Sequence, residues 1–507
     1  MKKRAIISVF DKTGVTDFAK VLQNKYGYEI VSTGHTSKLL KDNGLKIVDV
    51  SEVTGMDEML SGKVKTLHPN IHAGILADIE DSAESKEIAD KKIEAFQMVV
   101  VNLYPFEKVA KDEHDEQILI NNIDIGGVAL LRAAAKNNKN VAAVSSSLQY
   151  DAVLKNLDEN NGEISEEYKK ELALDAFEVT SKYDAVIMKE LSSDKEKYRT
   201  IFMKKLGDLR YGENPHQKAA LYENSELIKY EFLNGKELSY NNILDMTAAL
   251  GVVSEFYDVP AVAVVKHNTP CGVALGKSIN EAYQKAFDSD PISAFGGIIA
   301  FTKPVDKEIA KHASSVFLEV IIAPDYDTEA LEILKKKKNL RIIKLETPLK
   351  EYKNLIKEDI KVTPFGTLVQ ETDKKELDKD KFQVVTKKKP EQEMIEDMVF
   401  AWKVAKHVKS NAIVVAKDFK TLAVCGGQTS RVDAMEIALN RACDGAKNAV
   451  VASDGFFPAI DNIYAAAQCR IAGIIQPGGS IKDKEVIDAA DKYNIVMVTT
   501  GIRHFRH

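Results

Sequence analysis

Lys266-His267-Asn268-Thr269-Pro270-Cys271-Gly272 follows directly on the apolar run 261–265. A lysine beside a histidine at the end of a buried strand suits transfer of a carbon group to a weak amine. The imidazole accepts the proton while the ammonium stabilises developing negative charge. An unperturbed histidine, with a pKa near ~6.5, is poised for that task. Such a pair also occurs in purely structural settings, so its neighbours matter. Leu209-Arg210-Tyr211-Gly212-Glu213-Asn214-Pro215-His216-Gln217, Ser293-Ala294-Phe295-Gly296-Gly297 and Gln428-Thr429-Ser430-Arg431 add arginines and glycine loops, consistent with holding a phosphorylated substrate.

The first third of the chain carries a second set. Ser32-Thr33-Gly34, between a strand and a helix, offers hydroxyls and helix N–H groups to an anion, although as a bare turn it needs no ligand. Gly62-Lys63-Val64-Lys65-Thr66-Leu67-His68-Pro69 reads as an extended segment with both lysines on one side, or as a plain surface strand. Asn102-Leu103-Tyr104-Pro105-Phe106 ends an apolar strand, where sheet loops build pockets. Asp124-Ile125-Gly126-Gly127 opens a helix that carries Arg132 and Lys136, with accessible N–H groups at its glycines.

Other motifs fail on spacing. Gly272-Val273-Ala274-Leu275-Gly276-Lys277-Ser278 has one residue too few between its glycines for a phosphate-binding P-loop. Pro270-Cys271 is half of a zinc-deaminase signature without a second cysteine, and His114-Asp115-Glu116 lies far upstream in an expected polar helix. Zinc needs three or four ligands, so no metal site is expected. Without G-x-G-x-x-G, a dinucleotide site is disfavoured.

Strands expected at 5–10, 28–31, 45–50, 96–101 and 141–144 position the first set. Helices carrying Val15, Phe18, Ala19 and Leu22, a segment through Leu40, and 128–136 alternate with them. That alternation predicts an α/β domain with a largely parallel sheet. The polar stretch 191–197 is the expected linker. Beyond it come strands at 261–265, 297–301, 320–322, 412–415, 422–424 and 450–452, with a charge-rich segment at 326–389. Lysines 335–338 and 387–389 read as a solvated face. After Pro390, a helix with Met394, Ile395, Met398, Val399, Trp402 and Ala405 on one stripe buries the single tryptophan. Residues 266–274 and 409–416 hint at an internal duplication.

The chain has 507 residues and a net charge of −6, which argues against a dedicated nucleic-acid binder. Its 45 % hydrophobic and 29 % charged residues are ordinary for a soluble globular protein of about three domains. No apolar run approaches the roughly 18–20 residues of a membrane span, and no secretory leader is read at the start. Four cysteines without a C-x-x-C pair fit a reducing compartment. A cytoplasmic enzyme is expected.

Taken in order, segments 11–14, 64–69, 102–106, 124–127, 210–217, 266–267, 295–296, 430–431, 453–458 and 503–505 resemble the bifunctional purine biosynthesis enzymes. Those join an inosine-monophosphate (IMP) cyclohydrolase to an aminoimidazole-carboxamide ribonucleotide (AICAR) transformylase. The resemblance implies a methylglyoxal-synthase-like α/β domain over 1–195, then a transformylase domain over 200–507 built from two cytidine-deaminase-like units divided near 385. It implies formyl transfer from 10-formyltetrahydrofolate, a co-substrate and not a tightly bound cofactor, to AICAR. Dehydrative ring closure to IMP then follows. It also implies a homodimer with transformylase sites at the subunit interface, and no nucleic-acid or membrane partner.

By likeness, His267 accepts the proton and Lys266 stabilises the oxyanion; Arg210, Tyr211, Gly296, Glu319, Asn411, Arg431 and Arg503 hold AICAR; Phe456, Asp461 and Ser480 line the folate side. In the cyclohydrolase, Lys65, Thr66, Tyr104, Asp124 and Lys136 surround the reacting groups, with Lys136 transferring the proton. Lys12, Ser32, Thr33, Gly34 and Lys63 bind the nucleotide phosphate, with Asn102 and Gly126 beside them. To act as a base near neutrality, Lys136 needs a lowered pKa, to which Lys63 and Lys65 are expected to contribute. Two departures bear on affinity: Lys63 stands where many members have arginine, and Phe10 where serine is frequent. The competing readings are a nucleotide-sensing module that makes no bond, and a P-loop kinase using Gly276-Lys277-Ser278.

Overall fold

Alternating apolar runs and helical periodicity fold the unit Met1–Phe202 into a parallel sheet, and Met203–His507 forms a second unit. The computed structural model describes residues 3–113, 115–192, 197–223, 227–378 and 381–507; His114 and 193–196 of the expected linker lie outside these.

In the first unit, β1 (Arg4–Val9), β2 (Glu29–Ser32), β3 (Ile47–Asp49), β4 (Met98–Asn102) and β5 (Ala142–Val144) pair in the order β3-β2-β1-β4-β5, all parallel. Burial on both faces explains their near-continuous apolar sequences. The helix Val15–Tyr26 buries Val15, Phe18, Ala19 and Leu22, the four residues that the spacing selects. Because every strand runs the same way, the segments after β1, β2, β4 and β5 gather at one edge.

Two expectations fail here. The third strand covers only Ile47–Asp49, because Asp49 and Glu52 form a capping box that starts the helix Val50–Thr54. Residues 62–69 are not extended: Leu60, Ser61 and Gly62 take φ values of 54, 57 and 85°, and Met59 pairs with Val64. Lys63 and Lys65 therefore sit on a tight turn, followed by the helix Pro69–Leu76. In the expected polar helix, Asp115 caps Glu116–Asn121.

In the second unit, β6 (Lys204–Leu209) and β7 (Ala219–Glu223) form a separate hairpin, as do β14 (Glu358–Thr363) and β15 (Gly366–Glu371). The main sheet comprises β8 (Tyr230–Asn234), β9 (Ala261–Lys266), β10 (Thr269–Leu275), β11 (Ile298–Phe301), β12 (Val320–Ala323), β13 (Arg341–Leu345), β16 (Gln383–Val384), β17 (Ile413–Lys417), β18 (Lys420–Cys425), β19 (Val450–Ser453), β20 (Gly473–Gln476) and β21 (Val496–Thr499). Its order, β16-β21-β20-β19-β17-β18-β10-β9-β11-β12-β13-β8, is symmetric about the β18-β10 pair. Each half is a helix, an antiparallel hairpin, a helix, and parallel strands joined by helices.

The duplication is real, but its register differs from the sequence reading. The turn His267-Asn268 matches Asp418-Phe419, with φ values of 52 and 59° against 53 and 55°. Lys266 thus corresponds to Lys417, and 409–416 is the strand leading into the second turn. The P-loop lookalike also dissolves, since Gly272 lies inside β10, where a Cβ would fall 2.0 Å from the Ala286 carbonyl.

One sheet face is a single core shared by both halves, containing Leu250, Val265, Trp402 and Val414. The opposite face carries a separate core for each half. The helix Gln392–Ala405 buries Met398, Phe400, Ala401, Trp402, Val404 and Ala405; Ile395 and Val399 are only half-buried, so the apolar stripe is wider than expected and rotated. Lysines 335–338 and 387–389 are exposed. Trp402 is 2 % exposed and packs edge-on against His504, with ring centroids 4.5 Å apart. Trp402→Ala is expected to cost about 3–5 kcal/mol, read as a lower denaturant midpoint by circular dichroism.

Candidate active site

At the carboxyl edge of the parallel sheet, Ser32 Oγ donates to the Ile7 carbonyl at 2.7 Å, and Thr33 Oγ1 shares a hydrogen bond with Ser8 Oγ at 2.9 Å. Both hydroxyls tie β2 to β1, while Gly34 (φ 42°) opens the helix Gly34–Asp42. Lys65 Nζ lies 3.7 Å from where a Cβ would stand on either Gly34 or Gly62. A Cβ on Gly126 would approach Thr66 Oγ1 to 3.1 Å. The 62–66 turn therefore lays Lys65 and Thr66 over the starts of two helices, Gly34–Asp42 and Gly126–Lys136.

Asp124 completes the cluster. Its carboxylate accepts the N–H of Gly127 at 2.8 Å and that of Tyr104, and its own N–H donates to Tyr183 Oη at 2.8 Å. Burial raises the Asp124 pKa, opposed by those two N–H groups and by Lys65. Burial likewise raises the Tyr104 hydroxyl, and Asp124 adds to the rise. Burial lowers Lys12, with Lys65 pushing the same way. Three groups near one spot are thus biased toward their neutral forms, a clustering of perturbed titrations that marks a candidate site.

Lys12 Nζ donates to the Val9 carbonyl and to that of Phe10 at 3.2 Å. Asn102 Oδ1 accepts the N–H groups of Phe10 and Asp11 at 2.6 and 2.9 Å, so its role is to shape the loop after β1. Phe10 itself packs edge-on against Tyr104, with centroids 5.4 Å apart. Beside this loop opens a cavity of about 500 Å³, lined by Lys12, Asn102, Lys108 and Ser145, Ser146 and Ser147. Lys108 and the serines escaped the sequence reading; three hydroxyls directly after the 141–144 apolar run were the available signal.

Two expected members stand apart. Lys63 shares the turn but is exposed. Lys136 is exposed at the last residue of the helix that Gly126 opens, roughly 15 Å away at 1.5 Å per residue. Within one chain the fold does not bring Lys136 to Lys65, Thr66 and Asp124, and the idea that Lys63 and Lys65 tune it has no geometric support.

In the second unit, β9 and β10 place Lys266, His267 and Asn268 at one edge of the sheet. Lys266 Nζ donates to the Phe295 carbonyl at 2.7 Å and lies 4.0 Å from a Cβ position on Gly296. Asp245 accepts the Asn268 N–H at 2.6 Å and also that of His267. Burial raises Asp245, while these N–H groups and His267 oppose the rise. Cys271, beside Lys266, is pushed up to about 12 by burial and is inert as a nucleophile. Glu319 follows the same edge, its carboxylate held 2.6 Å from Arg341.

Arg210 lies over Tyr211, its guanidinium 4.7 Å from the ring centroid. Their loop is tied to the helix Tyr240–Ser254 by Asn241 Nδ2 donating to the Glu213 carbonyl at 3.2 Å. Asn241 and Asp245 are four residues apart, so loop and turn share one helix face.

The strand pairings put residues of the other half on the same edge. Ile413 opposes Cys425 and Ser453, as Lys266 opposes Thr269. β9 and β17 are separated by β10 and β18, so Lys266 and Asn411 stand roughly 14 Å apart at ~4.8 Å per strand. Asn411 Nδ2 donates to the Gln428 carbonyl at 3.0 Å. Arg431 is buried, donating to Ser453 Oγ at 2.7 Å and to Asp454 Oδ1 at 2.5 Å. Arg503 stacks over Phe505, 4.3 Å from its centroid, and Arg431 approaches the same ring at 6.0 Å.

Phe456 and Asp461 follow β19, and Ser480 follows β20 beside Gly478 and Gly479, so all three belong to the same edge. Asp245, Asp454 and Phe505 were not picked out as site residues by sequence. The isolated acid of Asp245 before an apolar helical run was the only local cue.

Asp124 also makes a stability forecast. Its folded pKa is raised, so the ionised carboxylate destabilises the fold above that value and the cost disappears below the ordinary carboxylate range. Asp124→Asn is expected to melt higher than the parent at about pH 7.5, with the gap closing toward about pH 4. A melting-temperature series against pH reads this out, and a gap that widens on acidification contradicts it.

Residues 134–441 match the model of the AICARFT/IMPCHase bienzyme family, and residues 14–129 match the MGS-like domain. The bifunctional purine biosynthesis protein PurH of Caldicellulosiruptor saccharolyticus is 50 % identical over 520 residues, covering all of both chains. PurH of Caldicellulosiruptor bescii is 49 % identical over 520 residues and PurH of Bacillus cereus (strain ATCC 10987 / NRS 248) 47 % over 517, again over both full lengths. A chain matched by these models over 14–129 and 134–441, and which aligns with such relatives from end to end, belongs to the AICARFT/IMPCHase bienzyme family.

Proposed function

We propose that this chain transfers a formyl group from 10-formyltetrahydrofolate to AICAR in its second unit and closes the product to IMP in its first. The observation that carries the transfer step is the left-handed turn that sets Lys266 and His267 side by side on the sheet edge, held by Asp245. The amine of AICAR is weak because its lone pair is delocalised. It attacks the formyl carbon as His267 takes its proton, and the Lys266 ammonium faces the oxygen that becomes negative. The bond from the formyl carbon to the folate nitrogen then breaks, that nitrogen takes up a proton, and tetrahydrofolate leaves. Arg431, fixed by Ser453 and Asp454, and Arg503, stacked on Phe505, offer charge to the nucleotide together with Arg210, Tyr211, Gly296, Glu319 and Asn411. Phe456, Asp461 and Ser480 take the folate side.

For ring closure, the carboxamide nitrogen attacks the formyl carbon and water is lost. Asp124, Tyr104 and Lys65 surround one point and are the acid–base groups. The start of the helix Gly34–Asp42, with Lys12, takes the phosphate. We read the second unit as two cytidine-deaminase-like halves without metal and the enzyme as a cytoplasmic homodimer whose transformylase site draws on both subunits. Among the described residues, no helix is long and apolar enough to cross a membrane.

A coupled assay with AICAR and 10-formyltetrahydrofolate, without ATP or zinc, is expected to yield IMP and tetrahydrofolate. Lys266→Ala abolishes formyl transfer and leaves ring closure of formyl-AICAR intact; Lys65→Met does the reverse. Loss of both activities in either folded variant contradicts separate sites. Lys136 can join Asp124 only if a second subunit presents it. Mixed dimers of Lys136→Ala and Lys65→Met chains then regain ring closure, and no recovery keeps Lys136 out of a shared site.

A further inference from the structure

The pseudo-twofold axis between β10 and β18 gives the sheet a second edge built like the first. On it lies the turn Asp418-Phe419, flanked by Lys417 and Lys420. Lys417 occupies the place of Lys266, and Asp418 that of His267, so the cation remains while the base is gone. Where Lys266 bonds to the loop before β11, Lys417 stands across a cavity from the loop before β19. Between them opens a cavity of about 490 Å³, lined by Lys285, Lys417, Lys420 and Lys447 with Asp418 and Asp444. Lys285 pairs with Glu281 at 2.8 Å and donates to the Asp418 carbonyl at 3.5 Å. Lys417, Lys420 and Lys447 form no ion pair among the described residues.

We infer that this edge is a non-catalytic binding site for a polyphosphate group, either free or carried by a nucleotide. Three ammonium groups without ion-pair partners around one open cavity attract a multiply charged anion, and they do so in a protein whose net charge is −6. Lysine point charges suit phosphate oxygens without demanding a fixed geometry. The volume lies within the range of small-ligand pockets. Because Asp418 replaces the histidine and no arginine opens the helix Ile279–Phe287 as Arg431 opens its counterpart, the edge holds an anion and transfers nothing.

Calorimetric titration of the full-length enzyme with pyrophosphate, at low ionic strength and with AICAR and IMP both in saturating excess, is expected to show one further binding event per chain. Lys417→Gln/Lys420→Gln weakens it at least tenfold and leaves formyl transfer within twofold of the parent. Lys447→Gln, a substitution at an exposed position, weakens it about threefold and serves if the double variant does not fold. ATP binding more tightly than pyrophosphate assigns a nucleotide, and equal binding assigns the polyphosphate alone. Absence of the event, or the same affinity in the variants, overturns the inference.

Discussion

The two halves of the second unit share one core face, and at the seam of their common sheet a buried hydroxyl stands in for backbone pairing. Thr421 Oγ1 accepts the Val273 N–H at 2.9 Å and donates to the Val273 carbonyl at 3.2 Å, where β18 should have supplied backbone groups. Beside it the paired residues are Ala274 and Lys420, and the Leu275 N–H reaches the Phe419 carbonyl at 2.9 Å. This junction sets the register of one half against the other. It thereby decides that Lys266 and Arg431 share an edge of one sheet and do not belong to two separate domains.

Upon that register rests the electrostatics of the edge. Arg431 and Asp454 are both buried, and a buried ion pair stabilises only when its remaining hydrogen bonds are met. Here Asp454 also accepts from Ser410 Oγ and from the Ala412 N–H at 3.1 Å, and its carbonyl accepts the His504 N–H at 3.0 Å. One aspartate, through its carboxylate and its carbonyl, therefore fixes the arginine, the start of β17 with Asn411, and the C-terminal segment that carries Arg503 and Phe505. His504 adds a bond from Nδ1 to Asp373 and its packing on Trp402, linking that segment to the shared core. The Arg431 side is held by this network, while the Lys266 side rests on a two-residue turn clamped by Asp245.

How far the amino-acid sequence foretells this depends on the range of the interaction concerned. Apolar periodicity found β1, β2, β4 and the burial of Val15, Phe18, Ala19 and Leu22, because each depends on residues a few positions apart. It misjudged 62–69, where alternating Lys63 and Lys65 imitate a strand although three successive positive φ values fold a turn. The duplication was visible but misaligned, since the matching feature is a backbone conformation shared by His267-Asn268 and Asp418-Phe419, which have no side chain in common. Asp245 and Asp454 act across 22 and 23 residues of chain, on His267 and Arg431. No local spacing encodes such partners; the family resemblance names His267 and Arg431 but not the aspartates packed against them.

The first unit solves the same problem by leaving its charges unbalanced. Lys65 lies near enough to Lys12 to disfavour its charge, yet it also faces a buried Asp124 that resists ionisation. Among the described residues neither lysine forms an ion pair, although Asp11 favours the charge on Lys12, and Asp124 is satisfied mainly by backbone N–H groups. Lys65 thus adds to the positive charge around Lys12, while Asp124 and Tyr104 are biased toward their neutral forms beside them. The placement of the cations and the acid–base bias of their neighbours are thus one electrostatic arrangement.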